Sequence, residues 1–168
     1  MAVPVMRRIE VDRWVVVSSL PFEAVLARLQ GEVGHPDVPR LFQAIAAART
    51  PAEVERVVHD VAGFFGLMEM ARFDHGAVVR KEPGKTSVKS VRVVVGNPLI
   101  MRQMVSRVPD AGSYAPVTVL VDQRSDGVYL SYDSVASFLA PYGDREALEV
   151  ARHLDAKVMA LLTSAAGD

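Results

Sequence analysis

Asp74 and His75 stand side by side where an apolar run breaks, with Arg72 just before them. A carboxylate beside an imidazole is a pairing that tunes a general acid or base near neutral pH. Adjacent residues on a strand point to opposite faces, so the same pair also reads as a turn in which Asp74 caps backbone N–H groups. The turn is the favoured reading. The run Tyr129-Leu130-Ser131-Tyr132-Asp133 offers a second group of polar side chains. Its period of two puts Tyr129 and Ser131 on one face and Leu130 and Tyr132 on the other. Turned inward, a polar-aromatic face suits a binding cavity; turned outward, it is an ordinary solvated sheet face, which is the favoured alternative. If the chain is an enzyme, His75 is the acid or base, helped by Asp74 or Tyr132.

Other positions suit binding rather than chemistry. Gly96-Asn97-Pro98 puts free N–H groups at a helix start, an anion site in principle and a plain cap by preference. The loop from Pro109 to Pro116 carries Asp110 and Tyr114, and loops held by a rigid scaffold often line sites. Met68, Met70, Met101 and Met104 form a soft apolar set that fills core gaps or lines adaptable pockets. Arg72, Asn97, Met101 and Met104, together with Tyr114, Tyr129 and Asp133, are therefore the expected ligand-binding residues. Several motifs are refused. Gly84-Lys85-Thr86 lacks the earlier glycine of a phosphate loop, since position 79 is Val79. The four histidines stand far apart, and Tyr114-Ala115 replaces the second glycine of a nucleophile elbow.

These side chains must be positioned by a mixed set of elements. A strand is predicted over 9–17, then a helix entered through Ser18-Ser19-Leu20-Pro21 with Phe22, Val25, Leu26 and Leu29 on one face. Leu41, Ile45 and Ala48 stripe a second helix. Thr50-Pro51-Ala52-Glu53 opens a third with a capping box, followed by Val54, Val57, Val58, Val61 and Phe65. A strand is predicted over 67–73, and residues 77–82 are expected to continue it. Further strands fall at Val91, Val93 and Val95, at 117–122 and at 128–132, the last two joined through Asp126-Gly127. Asn97 caps a short helix ended by Pro109, and another short helix falls over 134–139. Asp144 caps a long closing helix over 145–163. Consecutive strands followed by a long helix argue an α+β fold, an antiparallel sheet of about five strands with that helix packed on one face.

Composition sets the bounds. The chain has 168 residues, a formal net charge of −1, 50% hydrophobic residues and no cysteine. One domain is the expected count at this length. The absence of cysteine removes disulfides, thiolate nucleophiles and Cys-ligated metal. The near-neutral charge gives no electrostatic footprint for nucleic acid or an acidic membrane surface. No stretch reaches the ~18 apolar residues of a membrane span, and the charged start does not resemble a signal peptide, so a cytoplasmic protein is expected.

The second half resembles the domain-of-unknown-function family 302. The likeness is carried by Arg72-Phe73-Asp74-His75, Val94-Val95-Gly96-Asn97-Pro98-Leu99, Ala115-Pro116-Val117-Thr118-Val119-Leu120-Val121, Gly127-Val128-Tyr129-Leu130-Ser131-Tyr132-Asp133 and the Ala-rich closing helix. It covers about 67–162, plus 18–29. Against the simplest family pattern, residues of about 35–66 read as an inserted helical pair. The resemblance implies a β-α-β4-α arrangement of the TATA-binding-protein-like or helix-grip class, often a homodimer, with Asp74, His75, Asn97, Tyr132 and Asp133 as its recurring polar positions. The leading expectation is a small-molecule-binding domain with an apolar or mixed-polarity ligand between sheet and long helix. The alternatives are a metal-independent acid–base enzyme (isomerase, lyase or cyclase) and a homodimeric interaction module built on Val54, Val57, Val61 and Phe65. No cofactor, metal, nucleic acid or membrane partner is expected.

Overall fold

Alternating valines build the middle of the molecule. In the computed structural model, which describes residues 3–167, strands β3 (Ser90–Gly96) and β4 (Val117–Arg124) turn Val91, Val93, Val95, Val117, Val119 and Val121 to one buried face. They are joined by β1 (Arg13–Ser18), β2 (Met68–Asp74) and β5 (Gly127–Asp133) in the order β1-β5-β4-β3-β2. Every neighbouring pair is antiparallel. The fold is α+β, as the order of elements predicts.

The valine face is covered by helices. The long α7 (Arg145–Ala166) lays Ala147, Ala151, Leu154, Val158, Leu161 and Leu162 into the core beside Val25 and Leu29 of α1 (Phe22–Glu32). The α7 stripe and the valine face belong to one cluster of buried side chains. Helix α5 (Pro98–Val105) and the short α6 (Val135–Leu139) complete the layer, contributing Met104, Val135 and Leu139. Helices α2 (Val38–Ala47) and α3 (Pro51–His59) form a separate, smaller core, in which Leu41 and Val58 meet Met68 and Leu99. The apolar faces of this pair, including Ile45, Val54, Val57 and Val61, thus find partners within the chain. No helix of the described residues is long and apolar enough to cross a membrane.

Several local expectations are corrected. Residues 75–79 do not extend β2; they form a short helix, α4 (His75–Val79). Asp74 caps it by accepting from Ala77 N at 2.8 Å, and Arg80 donates to the other Asp74 oxygen, so the chain turns into a helix where β2 ends. The first strand begins at Arg13 rather than residue 9. Helix α1 starts without a side-chain cap; the Ser18 hydroxyl instead donates to Ala166 O at 2.6 Å and accepts from Leu20 N, fastening the end of α7 to β1. Helix α5 stops at Val105, and Pro109 begins a 3-10 turn, Pro109–Ser113, instead of ending the helix. In the predicted capping box Thr50 Oγ1 accepts from Glu53 N, but the Glu53 carboxylate reaches Arg49 N, one residue before the cap. Helix α7 runs three residues past 163 and stops at Gly167, whose φ of 102° is left-handed and favours glycine.

Candidate functional site

Two concavities gather the side chains of interest, and they meet at Pro116 and Val117. The first lies beneath α5, at the end of the sheet where β3 leaves through Gly96 and β4 enters through Pro116. Asn97 fixes this corner. Its Oδ1 accepts from Leu99 N at 2.8 Å, capping α5, while its Nδ2 donates to Gly66 O at 2.7 Å. Pro98 follows at the first helical position, where its missing N–H costs nothing. The helix then projects Ile100, Met101 and Val105 over a pocket of about 440 Å³. Phe42 of α2 and Met70 of β2 close one side, and Leu154 of α7 reaches it from the main core. Asn97 is the only polar side chain in the wall, and both ends of its amide are engaged. The lining is apolar apart from Asn97, and nothing in it is titratable.

The second concavity, about 590 Å³, lies over the face of the sheet opposite the valine core, with His75 of α4 and Phe138 of α6 at its rim. Ser131, Leu120 and Arg92 are register partners across β5, β4 and β3 and form part of its floor. Tyr114 stacks flat on Phe138 at one end, with ring centroids 4.6 Å apart, and His75 and Arg124 stand among its other walls. Asp133 joins it as the partner of Arg13, whose Nε and Nη2 donate to the two carboxylate oxygens at 2.6 and 2.8 Å. That bidentate bond holds the Asp133 carboxyl below its ordinary pKa. The Tyr114 hydroxyl meets the Tyr142 hydroxyl at 3.3 Å. This contact, with Asp110 beside it, pushes the Tyr142 phenol up to about 12.

The expected site residues therefore separate. His75, Tyr114, Asp133 and part of Tyr132 border the open-face groove, while Asn97 and Met101 belong to the apolar pocket. Met104 is buried in the main core. Arg72 is held by Glu69 at 2.7 and 2.9 Å. Tyr129 donates to Asp126 and lies under the Arg124 guanidinium. Asp74 does not serve His75: besides its cap it accepts from Arg80 Nη2 at 2.9 Å, and that bond is the first cause of its lowered pKa. Tyr132 is buried, its hydroxyl donating to Asp155 at 2.6 Å. Burial, then the Asp155 charge, drives that phenol far above its ordinary pKa.

Sequence reasoning missed Arg92, Thr118, Phe42 and Leu154. Arg92 carried a signal: it is the one charge inside an alternating valine strand, and a charge there marks the face that leaves the core. Phe42 and Leu154 carried none, because each reaches the pocket from an element distant in sequence.

A sequence profile described as Domain of unknown function DUF302 matches residues 44–165, a span that takes in all of α3. A solved structure, the crystal structure of uncharacterized conserved protein DUF302 from Bacillus stearothermophilus, superposes with a TM-score of 0.62 at 12% identity. The match covers 90% of this chain and 96% of that one. At that identity the likeness is one of fold. No curated protein matches.

Proposed function

We propose, from the premise that the chain belongs to the family described as Domain of unknown function DUF302, that it binds a small apolar molecule beneath α5. The observation that carries this reading is the 440 Å³ pocket, walled by apolar side chains, whose single polar neighbour, Asn97, already holds Leu99 N and Gly66 O through its amide. Core packing elsewhere is tight, so an apolar space of this size stands out against it. The pocket also touches Leu154, near the middle of α7, so its occupant sits between α5 and that point of the long helix. Binding without turnover fits best, because the pocket offers no acid or base and the acid–base reading retains only His75 on the other side of the sheet.

A direct test is titration with the uncharged fluorophore Nile red. Saturable binding with a blue-shifted emission is expected. A Cβ on Gly112 would find its nearest neighbour, Val105 Cγ2, at 3.8 Å, so Gly112→Leu has room to grow into the pocket. That variant should keep its melting temperature and lose the dye. Equal dye binding by a folded Gly112→Leu protein would overturn the reading.

A homodimer is the second reading, favoured by β1 rather than by the helical pair. This strand ends the sheet, and its Trp14, Val15 and Val17 are each about half exposed, at 49%, 47% and 50%. Exposed edge strands of this composition pair with other chains. Light scattering should then give a dimer mass that Val17→Lys reduces; a monomer at high concentration removes the reading.

A further inference from the structure

We propose that the open face of the sheet is a binding groove for a small organic oxyanion with a flat apolar body, read through Arg92.

The first observation is a charge left over. Three arginines border the groove. Arg13 is neutralised by Asp133, and Arg124 donates to Asp122 at 2.7 Å while lying over the Tyr129 ring at 3.9 Å. Arg92 has no carboxylate among the described residues. Its Nε and Nη2 both turn to one neutral acceptor, Thr118 Oγ1, at 3.3 and 3.0 Å. A guanidinium carries five N–H donors in a planar fork. Thr118 uses two of them, which leaves Nη1 and one N–H of Nη2 without a partner among the described residues, on a side chain that lines the groove.

The second observation is the position of that charge. Arg92 does not sit at an edge, where long cations are common. It stands on β3, inside the sheet, in a row that runs Val15, Ser131, Leu120, Arg92, Phe73 across all five strands. The row sets an apolar strip beside a fixed cation, with the Ser131 hydroxyl two strands away from Arg92. The stacked Tyr114 and Phe138 rings supply a flat wall. Planar, bidentate recognition is what a guanidinium does for carboxylates and phosphates. The oxyanion therefore meets Arg92, and the flat body lies along Leu120 toward the aromatic pair.

Calorimetric titration at low salt with benzoate, phenyl phosphate and inorganic phosphate tests this and separates the two oxyanions. Saturable binding of benzoate or phenyl phosphate, tighter than inorganic phosphate, is expected. Arg92→Gln should weaken it at least tenfold without lowering the melting temperature, since the side chain is exposed. Arg92→Lys should recover only part, having charge without the fork. Arg145→Gln, an exposed arginine at the start of α7, should bind as the parent does. No saturable binding of any probe, or unchanged binding by Arg92→Gln, overturns the proposal. Inorganic phosphate binding as tightly as phenyl phosphate overturns its flat-body half.

Discussion

Asp155 accepts from four donors at the end of β5 and the start of α6: the Tyr132 and Ser134 hydroxyls, both at 2.6 Å, and the backbone N–H groups of Val135 and Ala136 at 2.9 and 3.2 Å. The carboxylate thus caps α6 from another helix and ties the sheet to α7. Asp155→Ala strands those donors, most of them shielded from water. A cost of about 3 kcal/mol or more is expected, at about 1–3 kcal/mol per buried unsatisfied group, read as a shift of the urea midpoint. Tyr132→Phe leaves the carboxylate three donors and should cost nearer 1 kcal/mol. The two differ further at high pH. Because the folded state holds the Tyr132 phenol protonated, its contribution is fully present below the ordinary tyrosine pKa and is lost as pH rises above it. Above about pH 10 this group alone lowers stability by about 1.4 kcal/mol per pH unit. Tyr132→Phe should show a shallower alkaline slope in denaturation curves; identical slopes would remove the assignment. The alternation of β5 placed Tyr132 beside Leu130 correctly, but not its partner. The signal was present in α7: Asp155 is four residues after Ala151 and three before Val158, a charge on the buried stripe. Its meaning depends on α6 arriving there, which no local pattern states.

At the scale of elements, strands and long helices were legible because their apolar periods are long, and α4 was not. Val78 and Val79 suggest a continued strand, yet the segment must turn back from β2 to β3, and Asp74 starts a helical turn instead. A Cβ at Gly76 would fall 2.6 Å from Arg80 Nη1 and 2.7 Å from Val88 O, so this turn is also closed by a packing that a sequence does not display. Asp74→Ala should cost about 1 kcal/mol as a lost cap and speed amide exchange at Ala77. The link between α1 and β2 shows the same dependence on close approach. Gly34 N donates to Leu67 O and Gly34 O accepts from Glu69 N, and a Cβ there would meet Val61 O at 1.8 Å. Gly31, three residues earlier and inside α1, has nothing within 4 Å. The two alanine substitutions therefore carry opposite signs. Gly31→Ala should stabilise by up to about 1 kcal/mol, through helix propensity and a less mobile unfolded chain. Gly34→Ala forces backbone apart and should lose at least the 1–3 kcal/mol of ordinary overpacking, roughly. Thermal melts of the pair check both.

Across the whole molecule, the division into two cores governs how stability is distributed. The main core joins both ends of the chain, since β1 and α1 pack against α7, and Ser18 holds Ala166. The smaller core of Leu41, Val58, Met68 and Leu99 ties α2 and α3 only to β2 and α5, helped at the surface by the Arg102–Glu55 ion pair. The apolar faces of α2 and α3 could be read from their sequence, but whether sheet or second subunit covers them could not, because both partners present the same apolar surface. A unit attached through so few buried side chains should open before the sheet does. Native-state hydrogen exchange should show lower opening free energies over 38–59 than over α7, whose buried amides should exchange only by global unfolding. Val58 is fully buried, and Val58→Ala should remove about 1–3 kcal/mol from the opening of 38–59 while leaving α7 exchange nearly unchanged. Val158→Ala, equally buried but in the main core, should lower protection everywhere. Because Phe42 of α2 closes the apolar pocket, Nile red at saturation should slow exchange in α2 in the parent and not in Gly112→Leu. Uniform exchange across both cores would show one cooperative unit, and the pocket would then open only when the whole molecule does.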